Sequence, residues 1–156
     1  RDFLAKKPGS GFSQTQHICC VYPAAVLLTR EMVENGLQAS MAHPGSTVIG
    51  VIENPYPPER LFVRDDSGFG TMLRPEKLLS RTQDLPKTFC DAGQFYWAEK
   101  KTWELPPDHS VSRFLLPLAR DRAVDIDTEA DWAVAEGLFL RHAAQGTQEN
   151  GSRRQG

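Results

Sequence analysis

Cysteine is scarce in this chain: Cys19, Cys20 and Cys90 are the only three. They form neither a metal-type spacing nor a disulfide framework. Adjacent cysteines are poorly placed to bridge each other, so Cys19 and Cys20 read as small buried hydrophobes, and a reducing cytoplasm is the expected compartment. Also missing is any apolar run of the roughly 18–20 residues that a membrane helix needs. A charged start followed by an apolar block, the mark of a secretory signal, is absent too. Charge is not biased: 18 basic and 20 acidic residues leave a net charge of −2, which makes no case for a nucleic-acid partner. There are no internal repeats. Gly9-Ser-Gly11 is a lone G-x-G with no strand before it, too weak to count as a phosphate loop.

What remains is an ordinary soluble composition, 40% hydrophobic and 24% charged, with enough chain for one domain and a core. Residues 1–16 are polar and glycine-rich and read as irregular. His17–Tyr22 is a short continuous apolar run, the pattern of a strand buried on both faces in a parallel sheet. Thr29 is a candidate N-cap for a helix of roughly ten residues, with Gly36 as a weak point or stop. Thr47–Glu53 is β-branched and predicts a strand, which Asn54-Pro-Tyr-Pro-Pro58 must then leave because proline cannot donate to a ladder. Leu61–Val63 and Phe69–Leu73 flank Asp65-Asp-Ser-Gly68 as a hairpin.

Further on, Ala98–Trp103 suits a short helix, Arg113–Leu118 an edge strand, and Val124–Asp127 a brief strand. Thr128 with Asp131 is a variant capping box. The helix it opens presents Trp132, Ala135, Leu138, Phe139 and His142 as one stripe facing the core. Tyr96, Trp97 and Trp103 also read as core. His17, His43 and His109 have no partner spacing and read as structural or exposed. The domain is expected over 17–144, with a disordered polar tail over 145–156.

Chemistry-bearing side chains concentrate between Arg81 and Trp97. Arg81, Gln83, Asp84, Asp91 and Gln94 crowd a segment that finishes on Phe95-Tyr96-Trp97, the pattern of a binding loop entering a strand. A guanidinium such as that of Arg81 grips a carboxylate with two parallel hydrogen bonds, unless it pairs with Asp84 instead. Asp91 either binds a ligand or bonds to its own backbone before Gly93. Asp125 and Asp127, two apart, share one face if the segment is a strand and could supply half of a magnesium site. The plain alternative has Asp127 capping the next turn and Asp125 pairing with Arg120 or Arg122.

Arg81-x-Gln-Asp-Leu-Pro86, followed by Asp91-Ala-Gly-Gln-Phe-Tyr-Trp97, resembles the nonulosonic acid cytidylyltransferases, and most of all their pseudaminic acid branch. Val124-Asp-Ile-Asp-Thr-Glu-Ala-Asp-Trp132 matches in type and order, and Asn54-Pro-Tyr-Pro-Pro-Glu-Arg60 matches more weakly. The resemblance runs from about His17 to about Leu140. It implies an α/β fold, a Rossmann-like nucleotidyltransferase (glycosyltransferase-A-like) sheet in three layers, here without its N-terminal nucleotide-binding portion. It implies CTP and a nine-carbon acidic sugar as substrates, and a CMP-sugar for surface or flagellar glycans as product. Mg2+ would sit on Asp125 and Asp127, with Arg81, Gln83, Asp91, Gln94 and Arg60 on the sugar. The 54–80 region resembles an arm through which such chains form a homodimer.

Two departures stand out. Pro23-Ala-Ala-Val26 lacks the hydroxyls that the family carries there, and Cys90 stands where the pseudaminic branch usually has histidine. Cys90 reads as a neutral substitution. With the N-terminal nucleotide-binding portion missing, an inactive sugar-binding remnant of such an enzyme is a second reading. A metal-dependent glycosyltransferase is a third. An aspartate phosphatase is disfavoured by Glu129, which stands where that pattern wants Thr or Val.

Overall fold

The structure, a computed structural model, describes residues 16–106 and 111–152, with 146–152 as backbone alone. The expectations for residues 1–15 and for His109 lie outside it. The chain divides into two compact units, one made of the residues up to Val51 together with those from Asp91 onward, the other of Ile52–Cys90.

The first unit is built on a sheet. Strand β1 is His17–Val21, helix α1 Arg30–Ala42 and strand β2 Thr47–Glu53. The long strand β5, Phe89–Glu99, runs into the short helix α2, Lys100–Glu104; strand β6, Arg113–Pro117, and helix α3, Glu129–Ser152, follow. The strand order is β1-β5-β2-β6, with β1 antiparallel to β5 and β2 parallel to β6. It is a mixed α/β sheet.

Several elements stand where local chemistry put them. Thr29 caps α1, its Oγ1 accepting from Met32 N at 3.2 Å. Strand β2 has the predicted bounds, and β6, which ends on a proline, lies at the sheet edge. Thr128 and Asp131 close the capping box reciprocally: Thr128 N donates to Asp131 Oδ2 at 2.9 Å, and Asp131 N donates back to Thr128 Oγ1 at 3.3 Å.

Others differ from expectation. β1 is not a parallel strand buried on both faces; it is an antiparallel edge strand, and Cys20 and Val21 are exposed. A run of five apolar residues looks the same whether one neighbour or two flank it. Cys19 is only half-buried, and burial with the adjacent Cys20 pushes its thiol up to about 11, so it stays protonated. β5 continues through Glu99, because Ala98 and Glu99 still pair with Ile18 and His17, and the short helix starts only at Lys100. Helix α3 runs to Ser152, past the predicted end.

The core lies between α1 and one face of the sheet. Val48 and Phe95 are fully buried, with Trp97 beside them. Gly36, predicted as a weak point, sits inside the uninterrupted α1, and a Cβ there would fall 2.5 Å from Trp97 Cδ1 and 2.8 Å from Phe95 Cε2. Glycine is what lets helix and sheet approach this closely. Ser40, also buried, meets His17 Nδ1 at 2.9 Å, which gives that histidine a structural role. On α3 only part of the predicted stripe is covered: Ala135 is buried and His142 half-buried, its Nε2 3.0 Å from Asp121 O. Trp132 and Phe139 are more than half exposed.

The second unit contains the hairpin β3–β4, Phe62–Arg64 with Gly70–Met72, Phe62 opposite Met72. It exposes several large apolar side chains: Phe62 is 64% exposed, Phe69 77% and Leu79 95%.

Candidate active site

Two stretches about thirty residues apart in sequence meet around Gly93. Inside β5 this glycine has φ +61, and the strand's burial stops alternating there, with Ala92, Gly93, Gln94 and Phe95 all buried in succession. A left-handed residue in a strand makes a bulge and resets which side chains share a face. Asp91 and Tyr96, five apart, thereby reach each other: Tyr96 OH donates to Asp91 Oδ2 at 2.7 Å. The other carboxylate oxygen of Asp91 accepts from Gly93 N at 3.0 Å. So the turn-type bond considered for Asp91 is present, together with a side-chain partner that the sequence did not show. Burial, and then the bond to Asp91, push the Tyr96 phenol far above its usual range, so it remains a donor.

Tyr96 also lies against Tyr22, ring centroids 5.2 Å apart. Both tyrosines and Asp91 line a cleft of about 370 Å3 that also takes in Cys20, Trp103 and Arg113. Tyr96 and Trp103, predicted as core, are half-buried residues lining this cleft.

The Asp125 segment lies over the same bulge. A Cβ on Gly93 would stand 3.1 Å from both Asp125 Cγ and Oδ1. Gln94 Nε2 donates to Ala92 O at 2.8 Å and to Val124 O at 3.2 Å. Gln94 is 1% exposed, and its Oε1 has no partner among the described residues.

The predicted strand over 124–127 does not form. Its backbone groups go to side chains instead of a ladder: Val124 O takes the Gln94 amide, and Asp127 N donates to Asp131 Oδ2 at 3.3 Å. Asp125 and Asp127 are both exposed, while Ile126 is half-buried. Neither acid pairs with Arg120 or Arg122. Asp127 borders a different hollow, of about 450 Å3, with Thr128, Glu129 and Trp132. Among the described residues no three His, Cys, Asp or Glu side chains gather as a metal cage. Both carboxylates are open to solvent, as the ligands of an ion that keeps several of its waters would be.

The remaining predicted residues belong to the second unit. Arg81 and Gln83 are exposed at a 3-10 turn, Thr82–Asp84. The Arg81 guanidinium has no partner among the described residues, and the pairing with Asp84 is not formed. Arg60 donates through Nη1 to Leu78 O at 3.0 Å and through Nη2 to Ser80 O. Its fork therefore holds the loop that leads to Arg81.

Sequence reasoning missed Tyr96 and Gly93 as parts of the site. The signal was the glycine itself, since an isolated glycine in a strand pattern suggests a bulge.

These motifs define a class, and comparison with known proteins agrees: over the stretch matched, the chain is similar to nonulosonic acid cytidylyltransferases. It is similar to the pseudaminic acid cytidylyltransferases of two Campylobacter jejuni strains, serotypes O:2 and O:23/36, at 33% identity over 128 residues in each case. Those matches cover 79% of this chain and 53% of each relative, so the chain spans about half the length of the curated relatives it matches. It is also 36% identical over 72 residues to N-acylneuraminate cytidylyltransferase B of Danio rerio, covering 45% of this chain and 16% of that protein. No family model matches the chain.

Proposed function

We propose that the protein carrying this chain transfers CMP from CTP to a nonulosonic acid of the pseudaminic or related sialic type, for surface or flagellar glycans. The observation that carries this reading is the meeting of the two motif segments: the Asp125 carboxylate stands over Gly93, and Val124 is bonded to Gln94. The mixed sheet fits a Rossmann-like nucleotidyltransferase layer structure.

In the reaction the anomeric hydroxyl gives up its proton and its oxygen attacks the α-phosphate of CTP in line. The new P–O bond forms as the bond to pyrophosphate breaks. Mg2+ held by Asp125 and Asp127 would supply positive charge for the reacting phosphate and the departing pyrophosphate. Arg81, without another partner among the described residues, is suited to the sugar carboxylate. Gln83 and Asp91 would read hydroxyl and N-acyl groups, where a mismatched sugar leaves polar groups unpaired. Tyr96, bonded to Asp91, keeps that carboxylate oriented. Arg60 acts at one remove, through the loop it holds, and Gln94 is too buried to meet the sugar directly.

The exposed Phe62, Phe69 and Leu79 support a homodimer formed through the 54–80 arm. Among the described residues no helix is long and apolar enough to cross a membrane, and the use of CTP suits a cytoplasmic reaction.

The test is pyrophosphate release by the full-length protein from CTP and Mg2+, with pseudaminic acid or N-acetylneuraminic acid as acceptor. Release that depends on acceptor, with Asp127→Ala at least 100-fold slower, is the expected result. Binding of the sugar without release would overturn the enzyme assignment, and unchanged transfer by Asp127→Ala would remove the metal assignment.

A further inference from the structure

Gln94 is an odd residue for the place it occupies. Its side chain is 1% exposed, at the buried centre of β5, where an apolar side chain of the same length would fill the space. Both amide hydrogens are committed, to Ala92 O on its own strand and to Val124 O on the segment that follows Ala123. Its Oε1 is left without a partner among the described residues. Turning the amide over would set Oε1 against the two carbonyls, so the orientation follows from the chemistry. An orphaned buried acceptor costs stability, and methionine at this position would avoid that cost. What the amide achieves that methionine cannot is a fixed link from β5 to the backbone one residue before Asp125.

Gly93 provides the complementary half. Its missing Cβ leaves the space that the Asp125 carboxylate occupies, within 3.1 Å of where that atom would be. The segment 124–127 has no ladder of its own. With no strand to hold it, the segment is tied down by Gln94 at Val124 and by the bond from Asp127 N to Asp131, and of these the Gln94 bond is the one next to Asp125.

We infer that Gln94 is a positioning residue, a latch that holds Asp125 over the Gly93 notch in the geometry needed to bind a divalent cation. This deepens the proposed function and rests on its assignment of Asp125 as a metal-binding carboxylate. Groups that orient metal-binding side chains typically change metal affinity by about 10- to 100-fold when removed.

The experiment uses the full-length protein and Mn2+ alone, with affinity read by electron paramagnetic resonance, backbone hydrogen exchange followed over 124–127, and melting temperature recorded alongside. Gln94→Met is expected to bind Mn2+ at least tenfold more weakly and to exchange faster over 124–127, with its melting temperature unchanged or raised. A purely structural glutamine would give the reverse, a lower melting temperature with unaltered Mn2+ affinity, and that result overturns the inference. Gln94→Leu, which removes the same two bonds with a different apolar shape, is expected to weaken Mn2+ binding as well. It serves as the test should Gln94→Met not fold, and unaltered affinity and exchange in the variant that folds also overturn the inference. Asp125→Asn separates the two ideas. If it leaves Mn2+ binding intact, the metal assignment fails, and the latch then stands or falls on whether Gln94→Met speeds exchange over 124–127.

Discussion

Replacing Gly36 by alanine sets two effects of opposite sign against each other. Alanine is the better helix former, by about 1 kcal/mol in a helix interior. The added methyl would lie 2.5 Å from Trp97 Cδ1, 2.8 Å from Trp97 Nε1 and 2.8 Å from Phe95 Cε2. Ordinary carbon contacts are about 3.5–4.0 Å, so the rings or the helix must retreat by about 1 Å. Neither ring can yield easily: Phe95 is fully buried and Trp97 is 9% exposed, both packed with Val48 under α1. Overpacking of this kind costs about 1–3 kcal/mol, and displacing two stiff rings belongs at the upper end. The net expectation is a loss of about 1–2 kcal/mol, or a melting temperature several degrees lower, since about 1 kcal/mol is worth about 2–4 °C at this size. Gly137→Ala is the control. It lies within α3, and nothing stands within 4 Å of its would-be Cβ, so only the helix gain remains and melting should rise. Thermal and urea unfolding of the two variants beside the parent decide the matter. A Gly36→Ala protein more stable than the parent would refute the close approach of α1 to Trp97.

Three other outcomes follow from particular residues. Under the proposed function, Arg81→Lys should raise KM for the acidic sugar at least about tenfold with little change in kcat, because lysine cannot reproduce a two-point grip; an unchanged KM removes Arg81 from the sugar site. The bonds from Thr128 hold the Asp131 carboxyl below its ordinary range, so its contribution to stability is present above the unfolded value and is lost as the pH falls through the lower folded one. Asp131→Asn should therefore flatten the acid limb of the melting profile below about pH 4, while an identical limb would refute the capping role. Phe69→Ser, on the exposed hairpin, should shift the full-length protein toward monomer in sedimentation, and an unaltered mass would exclude this arm from the interface.

Elements whose stabilising partner lies within a few residues were legible from the sequence. Thr29 capping Met32, Thr128 answering Asp131, the β-branched run of β2 and the hairpin around Asp65–Gly68 are all local chemistry. The residues of the family's motifs, from Arg81 to Trp97 and from Val124 to Trp132, were visible for the same reason: they are short strings. Whatever depended on a distant partner was not. Only the folded chain makes β1 an edge strand, because its neighbour β5 lies more than seventy residues later. It likewise turns Gly36 from a weak point into a close-packing contact, and it denies 124–127 a strand by giving Val124 O to Gln94. Asp91 meets Tyr96 through the reversed φ of one glycine, which no pattern of alternating side chains foretells. Sequence determines the groups available for chemistry and the short-range bonds among them; which of those groups face one another is decided by packing, because contacts across the sheet are set by register and close approach rather than by spacing along the chain.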